Sequence, residues 1–486
     1  MLFISALYFL TRLVNPTLLP IFNDEAIYLD WGWREINLKG QLFFSLSDAK
    51  QPFLMWIFGL FQKIFSDPLL AGRLVSVITG YLTLWGLYCL GKKYFGRKTG
   101  LIVGLFYTVI PLFSLYDRQA LMESALACIG IWTVYFYLKL YQENKAKEAI
   151  FLGMILGLGF FIKSSSLIFF ITILLVTVWL FIKNKKKLIF SANVFLAFLV
   201  SQIIVLPLYF QKVFWQVLST NNRFSLTVGE LMRLPFLAWW SNLVGAVEIM
   251  FWQITPPIFF LIIVGIVILI RKEKKSEQKI LLVWLLVSLG LVLLTVRNIS
   301  PRYLVAFLPA LLLFAADRTN FIIGGLLAVV AIFLVLVQIF SPTNYFSLLA
   351  KVTQYSQKNE YVTGWTAGYG VEEAINYIKE KSAEQPVFVG VRIDAGNPEN
   401  AVFSYLYSSK NLQPVYLDSR IFNVDLNNFD CLQSKIPIYF VSRENQLAGM
   451  DKFLKEEIRF YKPEKKSYVG VYQLKTNCQG RTLQLN

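Results

Sequence analysis

Histidine is absent from all 486 residues, which removes imidazole general bases, Ser-His-Asp triads and His-ligated zinc from the chemistry open to this chain. Any proton acceptor is then a carboxylate. Cysteine is scarce, four residues with no CxxC spacing to point to a metal or redox centre. Charge is scarce too: 16% of residues are Asp, Glu, Lys or Arg, against roughly 25% in an ordinary soluble domain, whereas 56% are hydrophobic and 16% aromatic. That balance argues against a soluble globular protein. No internal repeat or low-complexity tract is visible, and the Gly-rich stretch Gly364–Gly370 lacks the GxGxxG pattern after a strand that dinucleotide binding needs.

Long apolar runs are abundant. Leu167–Ile182, Ile258–Ile270, Ile280–Val296 and Phe321–Phe340 are nearly uninterrupted and approach the ~18 residues of a bilayer span. Hydropathy and polar breaks together predict about eleven spans, near 2–21, 68–91, 99–116, 124–141, 149–162, 164–182, 188–210, 251–270, 280–296, 303–316 and 321–340. Met1–Leu19 lacks a small-residue cleavage site and reads as a retained first helix. The net charge of +17 is concentrated before residue 341, where 30 Lys/Arg face 15 Asp/Glu, against 17 and 15 after it. These cations cluster in the breaks Lys92–Lys98, Gln142–Glu148, Lys183–Lys187 and Arg271–Lys279, all on one side by span parity. The positive-inside rule makes that side the cytosol and gives no reason to invoke nucleic acid. An integral multi-pass membrane protein with a cytosolic N-terminus is expected.

The opposite face then receives Asn23–Asp67, Asp117–Glu123, Gln211–Met250, Arg297–Arg302 and everything after Ser341. Ile27–Ile36 and Phe53–Phe65 show helical periodicity with Trp31, Trp33 and Trp56 placed as interfacial anchors, so the first exterior loop is predicted to carry helices along the membrane surface. Residues 341–486 read as an exterior soluble α/β domain. Helices are expected at Glu372–Lys381, Pro398–Ser408 and Gly449–Glu457, and strands at Val387–Ile393, Val415–Leu417, Ile436–Val441 and Tyr468–Leu474, the last strands running antiparallel. Cys431 and Cys478 lie in this tail, where an exported domain permits a disulfide between them. Gly153, Gly157 and Gly159 are read as helix-contact residues.

Acids and cations gather on the exterior side. Asp24–Glu25 follows the first span and Glu123 stands at the mouth of another; Lys50, Arg118, Lys163, Arg223, Arg297 and Arg302 lie on the same face against the general charge rule. Singly, the acid pair also reads as helix-start acids favoured by the macrodipole, and each cation as an interfacial snorkeller. Together they suit an amphiphilic phosphate donor with its chain in lipid and its head in an outer cavity. A carboxylate takes the proton of an acceptor hydroxyl, and Lys/Arg stabilise the leaving phosphate by about 3–4 kcal/mol.

The segments Asn23-Asp24-Glu25-Ala26, Lys50-Gln51-Pro52-Phe53, Arg118-Gln-Ala-Leu-Met-Glu123, Asn222-Arg223-Phe224 with Pro235-Phe236, and Pro301-Arg302-Tyr303-Leu304 with Pro309 resemble the GT-C glycosyltransferase superfamily. The branch most alike is that of protein O-mannosyltransferases and lipid A aminoarabinose transferases. The resemblance spans residues 1–340 and implies a glycosyltransferase domain there, acting on a polyprenyl-phosphate sugar. It implies Asp24 as catalytic base or acceptor-orienting acid, Glu25 as its companion and Glu123 as the second-loop acid. Lys50 and Arg223 would contact the lipid phosphate, and Tyr303 with Arg302 would line the donor site. Lys163 and Arg118 join the donor-site set from their exterior placement. Two departures stand out: Gln51 replaces a proline of the usual Lys-Pro-Pro, and the second-loop acid is Glu rather than Asp. The acceptor, whether lipid, glycan or protein, is open. No cofactor is specified: the carboxylates offer ligands to a divalent cation, and the neighbouring cations supply similar electrostatics. A transporter or flippase of an amphiphilic substrate is the competing reading; it predicts ionisable residues in mid-span, where this chain has few. A sensor or scaffold leaves the charge cluster without a role.

Overall fold

The computed structural model describes every residue other than 184–187, 217–219, 221, 272–274, 393–395, 408, 410, 418–429, 445, 448, 449, 451, 476–479 and 486. Among the described residues six helices are long and apolar enough to cross a membrane, or eight if each of two bent pairs is one span. The straight ones include α4 (Pro68–Tyr94), α7 (Glu123–Glu143), α9 (Leu167–Lys183, entered through a turn from Ser164), α10 (Leu188–Tyr209), α13 (Ser276–Thr295) and α15 (Phe321–Phe340). Phe321–Phe340 turns Gly324, Ala328, Ala331 and Val335 inward and leaves Ile322, Leu326, Val329 and Phe333 exposed. Small residues inside and large apolar ones outside is the arrangement of a helix solvated by lipid. The chain is a multi-pass membrane protein.

The difference from about eleven expected spans lies in the short and broken ones. The first span shrinks to α1 (Leu2–Leu13). The third bends by 68° between α5 (Arg97–Val109) and α6 (Pro111–Asp117), because Pro111 has no N–H to continue the ladder. α11 (Phe236–Gln253) and α12 (Pro256–Arg271) meet at 119° before a Pro256-Pro257 pair. α8 (Ala146–Ile162) and α14 (Leu308–Asp317) are short. Gly153 and Gly157 bring α8 against α10, where a Cβ would meet Ala197 O at 2.4 Å and Ser201 O at 2.9 Å.

The first loop contains α2 (Asn23–Asn37) and α3 (Phe53–Phe61). Neither α2 nor its tryptophans lie open to an interface, contrary to the amphipathic reading. No α2 residue before Asn37 is exposed; Trp31 is 8% exposed, and Trp33 stacks on Tyr407 at 3.7 Å between ring centroids. The helix is covered on two sides, by α3 and by the C-terminal region. At the α2–α3 crossing a Cβ on Gly59 would stand 2.0 Å from Gly32 O, so only glycine permits that approach.

After Phe340 the chain builds a five-stranded sheet of order β2-β1-β4-β6-β5. Its strands are β1 (Val387–Arg392), β2 (Leu412–Leu417), β4 (Ile438–Arg443), β5 (Leu454–Tyr461) and β6 (Tyr468–Leu474). β1 pairs parallel with β2 and β4; β6 pairs antiparallel with β4 and β5. A parallel pair, β3 (Cys431–Ser434) and β7 (Thr482–Leu485), stands apart. α16 (Val371–Ser382) and α17 (Glu399–Leu406) match the expected helices. The helix expected over Gly449–Glu457 is corrected: the described part from Leu454 is an edge strand, with Lys455 and Glu456 exposed. Charged residues on an edge strand protect it from further pairing, and at this spacing they also read as a solvated helix face. Cys431 is disulfide-bonded; Cys478, its expected partner, lies outside the described residues, as do Lys185–Lys187. Sheet and helices share one hydrophobic core, running from Ile4 to Val471.

Candidate active site

One buried network fixes the loop that carries Glu123. Asp117 accepts from Arg12 Nη2 at 3.2 Å, Tyr8 OH at 3.2 Å, Tyr107 OH at 3.0 Å and Ser124 Oγ at 2.9 Å. An acid buried among helices is tolerated only with such complete pairing. Arg118 next to it donates to the carbonyls of Thr11, Arg12, Val14 and Asn15 at 2.7–3.0 Å. Thr11 and Arg12 carry two of the last carbonyls of α1, which helix geometry leaves without partners, and Val14 and Asn15 lie just beyond its end. Arg118 is therefore occupied in tying the first helix to the Asp117–Glu123 loop and does not join the donor-site cations.

Adjacent acids part company on α2. Glu25 is fully buried: Arg73 reaches its two oxygens at 2.9 and 2.7 Å, and the backbone N–H groups of Ala120 and Phe22 donate to it at 2.7 and 2.9 Å. Every strong position on that carboxylate is taken, so Glu25 is a fixed anchor. Asp24, one residue earlier and about 100° around the helix, keeps its side chain 26% exposed and accepts from Arg302 Nη1 at 2.8 Å.

Arg302 is the hub. Its Nε donates to Glu123 Oε1 at 2.9 Å, and Lys163 Nζ donates to the same oxygen at 2.7 Å. Glu123 Oε2 is buried with no partner. Arg302 comes from a short helical turn, Pro301–Leu304, opened by proline at its first position. Lys163 stands where α8 ends. Tyr303 and Tyr116 are near enough to feel the charges of Arg302 and Glu123, and Tyr28 those of Arg302, Asp24 and Glu123. Four charged residues from α2, α7, the end of α8 and the 301–304 turn thus form one alternating chain, Asp24–Arg302–Glu123–Lys163.

A second set of cations adjoins it. Lys50 Nζ lies 5.0 Å from the centroid of the Phe224 ring, and the Arg223 guanidinium 4.9 Å from the same ring. Arg223 also pairs with Asp48 at 2.5 Å. Burial pushes the Lys50 ammonium down to about 8, while the charges of Asp48 and Asp24 act against that fall. Gln51, where the resemblance led to an expected proline, accepts through Oε1 from Ser164 N at 2.9 Å. It ties the Lys50 loop to the residue after Lys163. The bend comes instead from Ala49, at φ +59°, whose carbonyl neighbour Lys50 closes back through its N–H to Ser45 O. Phe224 is fixed by Arg297 N donating to its carbonyl at 3.0 Å; Arg297 itself pairs with Glu230 at 2.8 Å.

Of the residues singled out from sequence, Asp24, Glu123, Lys163, Arg302 and Tyr303 converge, with Lys50 and Arg223 beside them. Glu25 and Arg118 are drawn into buried anchoring instead. Arg73 and Arg12 were overlooked, although an arginine within an apolar helix always demands a carboxylate or carbonyl partner. Among the described residues no group of three or more His, Cys, Asp and Glu side chains is arranged to hold a metal ion. The two acids that approach each other are bridged by the Arg302 guanidinium, so these residues do not assemble a resident metal site.

The family model of dolichyl-phosphate-mannose-protein mannosyltransferases matches residues 49–210. No curated protein sequence matches significantly. Among solved structures the fold is similar to ArnT from Cupriavidus metallidurans bound to undecaprenyl phosphate, with a TM-score of 0.59 at 15% identity, covering 97% of both chains. It is also similar to the Archaeoglobus fulgidus oligosaccharyltransferase in complex with Zn and sulfate, with a TM-score of 0.52 at 14% identity, covering 95% of this chain and 72% of that one. The superposition over nearly the whole of both chains shows that this protein shares the fold of ArnT, and the family-model match falls within that shared fold, over residues 49–210.

Proposed function

We propose that this protein transfers a sugar from a polyprenyl-phosphate donor to a hydroxyl acceptor, in a single inverting displacement at the Asp24–Arg302–Glu123–Lys163 cluster. The observation that carries the reading is the asymmetry of the acids: Asp24 is reachable and held by one arginine, whereas its neighbour Glu25 is sealed. A general base has to be accessible to the acceptor and fixed in direction.

Lys50 and Arg223, both beside the Phe224 ring, bind the donor phosphate as the lipid tail lies along the apolar exterior of the helices. Arg302 and Lys163 complete the positive wall. The acceptor oxygen attacks the anomeric carbon and its proton passes to the Asp24 carboxylate. The bond from that carbon to the phosphate oxygen breaks with its electron pair staying on phosphate, giving the glycosylated acceptor with inverted configuration and polyprenyl phosphate. Glu123 holds Arg302 and Lys163 in place and spaces them. The donor phosphate competes with Asp24 for Arg302, so donor arrival loosens the base for its task.

ArnT was solved with undecaprenyl phosphate, and that lipid is the carrier we propose here. Residues 1–340 form the transfer unit and 341–486 its cap. The cation-bearing ends Lys92–Lys98 and Gln142–Glu148 lie at the far ends of α4 and α7 from the site. The positive-inside rule therefore makes the site and the cap exterior and Met1 cytosolic. Purified protein given an undecaprenyl-phosphate sugar and a cell-envelope extract releases undecaprenyl phosphate on this reading. Sugar-lipid crossing sealed vesicles without release contradicts it.

A further inference from the structure

The residue before Asp24 is gripped by the C-terminal region. Asn23 is the first residue of α2, and its N–H, an orphan donor of the helix start, reaches Thr366 O at 3.0 Å. Its side-chain Oδ1 accepts from Asn397 N at 3.0 Å. The Asn397 amide in turn donates to Ile21 O at 2.9 Å and Thr366 O at 3.0 Å. Asn23 and Asn397 are 7% and 1% exposed.

This grip is built tightly. A Cβ on Gly396, whose φ is +111°, would lie 1.6 Å from Asn23 Oδ1, so the backbone can close on Asn23 only through glycine. The Thr366 strap is held by the buried Lys462 ammonium, which donates to the carbonyls of Gly364, Trp365 and Ala367 at 2.6–3.2 Å. On the other side of Asp24, Glu25 is locked by Arg73 and Ala120 N. Asp24 therefore sits between two fixed residues, Asn23 held by the cap and Glu25 by the membrane helices, with its own carboxylate accepting from Arg302 and, at 3.5 Å, from Asn23 Nδ2.

We propose that Asn397, acting through Asn23, is a positioning residue for Asp24, so that the C-terminal region sets the geometry of sugar transfer. This rests on Asp24 being the base. A misplacement of about 1 Å costs on the order of 100-fold in turnover, and the cap is the only part of the described structure that holds the Asn23 side of the dyad. Donor binding rests chiefly on Lys50 and Arg223 from other loops and is expected to change little.

The test uses the full-length protein in detergent with Asn397→Ala, Asn23→Ala and the control Tyr407→Phe. The control removes a hydroxyl bonded to Asp30 within the same cap–α2 contact, away from Asp24. Hydrogen exchange over Asn23–Glu25 is expected to rise about tenfold in both asparagine variants and not in the control. With an undecaprenyl-phosphate sugar as probe, kcat falls about 10–100-fold in both while donor KM stays within about twofold, and the control keeps wild-type kcat. Unchanged exchange in Asn397→Ala, or an equal kcat loss in Tyr407→Phe, overturns the inference. If Asn397→Ala does not fold, Asn23→Ala decides the matter by the same readouts. A wild-type protein that consumes no donor sinks the proposed function, and the exchange measurement alone then decides whether Asn397 holds the Asp24 segment.

Discussion

Arg302 Nη1 reaches Asp24 Oδ2 at 2.8 Å across 278 residues of sequence, joining the first loop to the last turn before the final spans. The same guanidinium continues to Glu123, so a single planar fork sets the separation of two acids. Lysine offers one ammonium and cannot reproduce that fork. Arg302→Lys is expected to lower kcat about 100-fold with the fold retained, measured as release of undecaprenyl phosphate beside a circular-dichroism check.

Glu123→Gln keeps the shape but removes the charge shared by Arg302 and Lys163. Both cations are then freer for phosphate. The expected outcome is tighter binding of undecaprenyl phosphate together with a kcat about 10–100-fold lower, because positioned charge counts more in the transition state than in the complex. Weaker lipid binding in this variant contradicts the assignment.

Glu25 should fail in a different way. Its removal by Glu25→Gln strands Arg73 in the interior, which costs about 3–5 kcal/mol when a buried pair loses one partner. Thermal stability in detergent should fall sharply, whereas Asp24→Asn should scarcely change it. Equal stability of the two variants contradicts the split between anchor and base.

That split shows what the sequence could and could not convey. The Asp24–Glu25 dyad, Glu123 and the cations Lys50, Lys163, Arg223 and Arg302 were legible because charge at the end of an apolar run is costly unless it serves a purpose. Which of two adjacent acids is free was not, since it depends on the rotation of α2 against α4, Ala120 and the cap. Arg118 looked like its neighbours in sequence, yet the carbonyls at and just beyond the end of α1 take it. Lys455, Glu456 and Glu457 suit a solvated helix as well as an edge strand, and pairing with β6 decides for the strand β5. The grip of Asn397 on Asn23 joins segments hundreds of residues apart, with no local pattern to announce it.

Lys50 gives a pH dependence. Burial lowers its ammonium to about 8, so it is charged at neutral pH and loses its proton as pH rises through that value. Donor phosphate binds the charged form, and donor KM should therefore rise above pH 8. Lys50→Arg, charged throughout that range, should flatten this rise. A KM independent of pH between 7 and 9 in the wild type removes Lys50 from the phosphate site.

The most direct measurement compares wild type and Asp24→Asn, purified in the same detergent, for binding of undecaprenyl phosphate and for turnover of undecaprenyl-phosphate-linked mannose and aminoarabinose with an envelope acceptor extract. Lipid binding at least as tight as in the wild type, because Arg302 is released to the phosphate, and a turnover about 10²–10⁴-fold lower are expected in Asp24→Asn. Full turnover by Asp24→Asn would contradict Asp24 as the base.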